Sequence, residues 1–232
     1  MSARPQPVWL FDLDNTLHNA SHASFSMLDA SMNAYIAEAL GVPIEQADGL
    51  RQLYWQRYGA TLLGLMRHHA VKPAHFLHHT HQLPGLEALI RGHAPDLHAL
   101  RRLPGTKVLL TNAPRAYAQR VLRALGLRRV FDQVIAIEDM RVFGQWRPKP
   151  DRRMLRQVAV RLRVPPQRCV LVEDTLAHQK SAHRIGMRAV WMQRWVRNNR
   201  HGPEVGLYLR RKPVYVCARI SALQQLQKRV RP

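Results

Sequence analysis

The sequence predicts an α/β fold, a doubly wound parallel sheet interrupted by an all-helical insertion. Three observations carry this reading. A short apolar run, VWLFD at 8–12, ends in a carboxylate and reads as a buried parallel strand with a site at its carboxyl end. Residues 22–102 then show helical periodicity and no strand pattern. From residue 106 onward strand and helix patterns alternate, which implies parallel strands with helices on both faces.

The elements follow in order. Phe25, Leu28, Met32, Tyr35, Ile36 and Leu40 recur at helical spacing, and Gly41 and Pro43 stop that helix. Further helices are expected over 44–57, 61–70, 74–81 and 85–102. TKVLLT at 106–111 reads as a strand and 115–125 as a helix ended by Gly126. QVIAI at 133–137 is the next strand and 151–162 the next helix. RCVLVED at 168–174 is a strand, 176–185 a helix ended by Gly186, and RAVWM at 188–192 a strand. PVYVCA at 213–218 reads as a last strand before a short helix. The expected organisation is a Rossmann-like core of residues 1–20 and 103–232, with residues 21–102 as a helical cap.

Composition narrows the function classes. Hydrophobic residues make up 46% of the 232, enough for a packed core and too many for a disordered chain. Two cysteines, Cys169 and Cys217, build no disulfide framework. No signal peptide or membrane-length apolar stretch is visible, so a soluble, cytoplasmic protein is expected. Lys and Arg number 36 against 15 Asp and Glu, a formal net charge of +21. Such a field attracts polyanions, either nucleic acid or an anionic substrate. It is also what arginine-rich, solvated helix faces would produce. The basic residues are scattered, with a dense stretch at 188–212, and no nucleic-acid-binding motif accompanies them.

In doubly wound sheets, ligands bind beyond the carboxyl ends of the strands. Those ends carry Asp12-Leu13-Asp14-Asn15-Thr16, then Thr111-Asn112, then Glu173-Asp174, while Arg147-Pro148-Lys149-Pro150-Asp151 precedes the 151–162 helix. Crowded carboxylates repel unless a hard cation sits among them, and oxygen-only ligands suit Mg²⁺. Lys149, the Thr111 hydroxyl and backbone N–H groups could hold a phosphoryl group. One carboxylate could then attack phosphorus, and a second, two residues on, could serve as acid and base. Each segment alone also has a plain structural reading, as a turn pair, a helix cap or a rigid proline turn.

Together the four segments resemble the motifs of the haloacid dehalogenase (HAD) superfamily. FDLDNTL at 11–17, LLTN at 109–112, RPKP at 147–150 and VEDT at 172–175 occur in the family's order. The resemblance implies Asp12 as nucleophile and Asp14 as general acid and base. It implies a phosphate site of Thr111, Asn112 and Lys149. It also implies an Mg²⁺ site of Asp12, the Asp14 main-chain carbonyl and Asp174, with Glu173 as a further candidate. Many relatives carry another Asp where this chain has His178, which opens a direct role for Glu173. The helical block resembles a C1-type cap.

Within the superfamily, DLDNTLHNAS, YGATLLGL at 58–65 and LLTNAPRAYAQRVLRALGL at 109–127 resemble the pyrimidine 5′-nucleotidase-like group. That implies a nucleoside monophosphate substrate and a substrate loop containing Tyr58, Gly59 and Thr61. The alternative for the loop is a helix junction, Gly59 ending one helix and Thr61 capping the next. Arg57, Arg67 and Arg115 lie near these motifs, as substrate contacts or solvated surface. Other small phosphate esters, or a phosphomutase reaction, fit the same four motifs, and a polyanion-binding protein on this fold is the non-enzymatic alternative. His68, His69, His75, His78, His79 and His81 raise a metal hypothesis for the cap, but no nearby Cys or carboxylate completes a zinc set.

Overall fold

The computed structural model describes residues 6–195 and 212–230. In chain order the elements begin with β1 (Val8–Phe11), α1 (Ala20–Ala23), α2 (Phe25–Leu40), α3 (Ile44–Tyr58), α4 (Thr61–His69), α5 (Pro73–Thr80), α6 (Leu86–Leu89) and α7 (Ala94–Arg102). They continue with β2 (Thr106–Leu110), α8 (Arg115–Ala124), β3 (Gln133–Ile135), β4 (Arg141–Val142), β5 (Gln145–Trp146) and α9 (Arg152–Arg161). The remainder are β6 (Cys169–Glu173), α10 (Leu176–His183), β7 (Arg188–Met192), β8 (Ala218–Ile220) and α11 (Leu226–Arg229). The chain divides into two compact units, Met1–Ser21 with Ile90–Pro232, and His22–Leu89.

The first unit is a six-stranded parallel sheet in the order β3-β2-β1-β6-β7-β8. β1 and β6 are buried along their whole length, which is why they read as continuous apolar runs. β1 lies between β2 and β6, with Leu10 opposite both Val108 and Leu171. The strand order reverses at β1: the chain leaves it on the β2 side and returns on the β6 side. Right-handed crossovers then put α8 on one face of the sheet and α9 and α10 on the other. One core cluster accordingly joins Leu10, Val108 and Leu171 to Met154, Leu155 and Val158 of α9 and to Ala182 and Ile185.

The second unit is helical throughout. Gly41 and Gly59 end α2 and α3 in the left-handed conformation, where glycine has no Cβ penalty. α3 and α4 approach closely at Gly64, where a Cβ would stand 2.1 Å from Tyr54 Cγ.

Several boundaries differ from expectation. The helix expected over 85–102 is two pieces, α6 and α7, broken around Gly92 and Pro95. α7 groups with the sheet unit rather than with the helical one. Its buried Asp96 accepts from the Leu223 backbone N–H at 2.9 Å and from Arg194 Nε at 3.0 Å, and Leu97 and Leu100 are buried. The last strand is 218–220 rather than 213–218, because the 213–216 segment forms a turn and pairing starts at Cys217 N–H to Ala189 O. β4 and β5 form a hairpin that periodicity did not reveal, turning at Phe143 and Gly144, both with positive φ. Of the dense basic stretch, Arg197, Arg200, Arg210 and Arg211 lie outside the described residues. Among the described residues, no helix is long and apolar enough to cross a membrane.

Candidate active site

The parallel register assembles the site. Asp12 follows β1, its backbone N–H bonded to Val172 O at 3.0 Å, so Glu173 at the end of β6 and Asp174 just past it arrive beside it. Thr111 follows β2 on the other side, its N–H on Ile135 O at 3.0 Å. The crevice where the strand order reverses is therefore lined by carboxylates, as the topology of such sheets favours. Asp12, Glu173 and Asp174 each present an atom within 4.8 Å of the others, which among the described residues is the one such group of three or more potential metal ligands.

Lys149 is the cation at their centre. It is almost fully buried, with Nζ 2.6 Å from Asp12 Oδ1 and 2.8 Å from Glu173 Oε2. Asn112 fixes the lysine's backbone from both sides. Its Nδ2 donates to Lys149 O at 2.9 Å, and Lys149 N–H donates to its Oδ1 at 2.9 Å. Both ends of the Asn112 side-chain amide are thus committed to Lys149, and the side chain braces the lysine's backbone. The Thr111 hydroxyl accepts from Ala113 N–H at 3.0 Å, and its hydrogen remains available.

Electrostatics separates the carboxylates. Burial raises Asp12 to about 7; the Glu173 charge adds to this, and Lys149 offsets it in part. Burial would also raise Glu173, but the charges of Lys149 and His178 outweigh it and hold Glu173 well below the usual carboxylate range. His178 Nδ1 is 3.1 Å from Glu173 Oε2, so His178 faces this carboxylate. Asp174 is pushed well above its ordinary value by burial, then by Glu173 and Asp12. Burial would lower Lys149, yet its two anionic partners raise it. Lys149 and Glu173 thus form the ionised pair, while Asp12 and Asp174 share an excess of negative charge. An oxygen-only donor set with that excess fits a hard divalent cation such as Mg²⁺.

Asp14 stands apart with its own partners. Tyr117 OH donates to its Oδ1 at 2.8 Å, and His18 Nε2 lies 2.9 Å from the same oxygen. His18 is completely buried. Neither partner emerged from the sequence. His18 lies four residues past Asp14, whereas Tyr117 is 103 residues away and carried no local signal. Asn15, at φ 55, bonds Ser21 through both amide ends and shapes the turn that carries Asp14.

With that geometry in hand, a model of the haloacid dehalogenase-like hydrolase family matches residues 8–186. The chain belongs to this family. Solved structures share its fold over nearly the whole length. A HAD phosphatase from Thermococcus onnurineus is 22% identical with a TM-score of 0.61, covering 96% of this chain and 97% of its own. CbbY from Rhodobacter sphaeroides, in complex with phosphate, is 22% identical with a TM-score of 0.62, covering 95% and 96%. An L-2-haloacid dehalogenase from Xanthobacter autotrophicus, with chloropropionic acid covalently bound, is 17% identical with a TM-score of 0.58, covering 96% and 97%. At these identities the likeness is one of fold.

The remaining candidates of this HAD-like hydrolase lie in the helical unit. Gly59 is a helix C-cap, as the junction reading has it. Thr61 is the first residue of α4 rather than its cap, and its Oγ1 donates to Arg51 O at 3.0 Å. Tyr58 OH meets His68 Nε2 at 2.6 Å, with the Arg57 and Arg67 guanidinium groups 5.7 and 5.9 Å from its ring. Tyr35 OH meets His75 Nδ1 at 2.8 Å. Among the described residues, none of the histidines of the helical unit belongs to a group of three metal ligands. In the sheet unit, Arg115 pairs with Asp139, and its N–H bonds Glu138.

Proposed function

We propose that the protein is an Mg²⁺-dependent phosphomonoester hydrolase that works through an aspartyl-phosphate intermediate on Asp12. The observation that carries this reading is the division of labour around Lys149. One buried cation touches Asp12 and Glu173, and two further carboxylates, Asp14 and Asp174, are left free of it. Asp12 attacks phosphorus through a carboxylate oxygen, and the ester P–O bond breaks as the new one forms. Lys149 and the Thr111 hydroxyl hold the phosphoryl oxygens, and Asn112 keeps the lysine in place. Asp14 protonates the leaving oxygen, then takes a proton from the water that cleaves the aspartyl phosphate. Tyr117 and His18 hold one Asp14 oxygen and leave the other to move that proton. Asp12 and Asp174, with the Asp14 carbonyl and Glu173, would hold Mg²⁺, which when bound supplies charge neutralisation between nucleophile and phosphate.

The acid–base residue favours phosphate esters over halides, since a departing halide needs no proton. For substrate we propose pyrimidine nucleoside 5′-monophosphates, with residues 22–89 as a C1-type cap and Tyr58, Gly59 and Thr61 as its substrate loop. The support is the YGATLLGL resemblance together with the two cationic guanidinium groups beside Tyr58.

Phosphate release from UMP, CMP, AMP, phosphoglycolate and sugar phosphates, with Mg²⁺ present, tests both levels. We expect release with a preference for UMP and CMP, and Asp12→Asn should lower kcat by at least about 10⁴-fold while leaving the fold intact. Equal inactivity of wild type and variant across the panel removes the enzymatic reading. Turnover without pyrimidine preference removes only the specificity, and an isomerised phosphate ester as product would mark a mutase.

A further inference from the structure

The site uses few of the chain's cations, and several of the others share one face of the sheet unit. α9 turns Met154, Leu155, Val158 and Ala159 into the core. Its opposite side exposes Arg153, Arg156, Gln157 and Val160, with Arg163 just past its end. α10 covers the same face of the sheet and exposes Lys180 and Arg184. From Arg152 to Trp195 the acidic residues are Glu173 and Asp174 alone, and both belong to the carboxylate cluster. Some arginines elsewhere are neutralised: Arg51 lies between Asp29 and Asp48, and Arg115 meets Asp139. Arg152, Arg153, Arg156 and Arg163 have no side-chain partner among the described residues, nor do Lys180 and Arg184. Like charges three and four residues apart, as at Arg153–Arg156 and Arg152–Arg156, disfavour the helix that carries them.

At the end of α10 this face runs into a cavity of about 310 Å³ lined by His183, Met187, Arg188, Val214, Tyr215 and Cys217. A row of unpaired cations beside an aromatic, largely apolar recess is the chemistry that takes up a backbone of repeated phosphates with accessible bases.

We infer that the outer face of α9 and α10 binds single-stranded nucleic acid, independently of the hydrolytic site. Arg153, Arg156, Arg163, Lys180 and Arg184 take the phosphates, and the recess at Tyr215 takes a base. A duplex would hide its bases from the recess. An acidic peptide has no ring to place there, and a flat anionic bilayer would leave the recess unused.

Fluorescence anisotropy of the full-length protein with a labelled oligodeoxythymidylate tests this as salt is raised. The slope of log K against log salt should be roughly −3.5 for five phosphates at about −0.7 each. Arg153→Glu/Arg156→Glu/Arg163→Glu should weaken binding at least about tenfold and flatten the slope by about 2. Arg123→Glu/Arg128→Glu/Arg129→Glu makes the same charge change at exposed positions around α8, on the other side of the sheet. It should change affinity less than about threefold. Tyr215→Ala should weaken the oligonucleotide about tenfold while leaving binding to polyglutamate unchanged. Circular dichroism of each variant should match wild type. Equal losses in the two triple variants would reduce the effect to net charge and overturn the assignment. So would the absence of salt-dependent binding, or equal affinity for duplex, polyglutamate or phosphatidylserine vesicles.

Discussion

Replacing Lys149 with Met removes the cation from two buried contacts, at 2.6 Å to Asp12 and 2.8 Å to Glu173, while keeping most of the side-chain volume. Breaking a buried pair by deleting one partner leaves an uncompensated charge and costs about 3–5 kcal/mol. For a chain of this length that is a fall of roughly 6–20 °C in Tm. The pH dependence follows from the proton balance. In the wild type, Lys149 and His178 hold Glu173 below its ordinary range, which stabilises the fold above the unfolded-state value. Without Lys149, Glu173 and Asp12 both rise. A folded-state value above the unfolded one means the native state keeps the proton, so stability falls as pH rises between the two values. The deficit of Lys149→Met should therefore be greatest near pH 8 and shrink towards pH 5. Urea unfolding in the presence of EDTA measures it, with Lys149→Met/Asp12→Asn/Glu173→Gln expected to recover most of the loss. A single variant within about 1 kcal/mol of wild type at pH 8 would refute the pairing as the anchor of the site.

Tyr117→Phe deletes one hydrogen bond to the Asp14 carboxylate and should lower kcat by about 10–100-fold with little change in KM; steady-state kinetics that show a KM effect alone would place Tyr117 in substrate binding. Mg²⁺ affinity, measured by calorimetry, should weaken as pH falls through about 7, because Asp12 then holds a proton the cation must displace. Gly64→Ala should destabilise the helical unit by about 1–3 kcal/mol in thermal unfolding, since its Cβ would meet the Tyr54 ring at 2.1 Å.

Much of the core was legible because its signals are local. RAVWM is β7 residue for residue, and VWLFD places Asp12 directly after β1. These strands are buried on both faces, so an uninterrupted apolar run with a polar residue at its carboxyl end marks both strand and site. The β4–β5 hairpin escaped notice because two-residue strands are too short to show a period of two, and its turn residue Phe143 is not one that favours positive φ. The grouping of α7 was hidden for another reason. Its helical pattern resembles that of the neighbouring helices, and what ties it to the sheet unit is a buried Asp96 bonded to residues 98 and 127 positions away.

At the site itself, the chain's linear order was enough to name Asp12, Asp14, Thr111, Lys149, Glu173 and Asp174, because side-chain chemistry at a strand end is written residue by residue. Their partners were not written that way. Asn112 holds the backbone of Lys149, Tyr117 and His18 hold one oxygen of Asp14, and His178 faces Glu173. Which carboxylate stays ionised and which keeps its proton depends on burial and on charges brought together from distant segments. Those quantities come into existence when β1, β2 and β6 align, and so the identity of the candidate groups belongs to the sequence while their protonation and orientation belong to the packing.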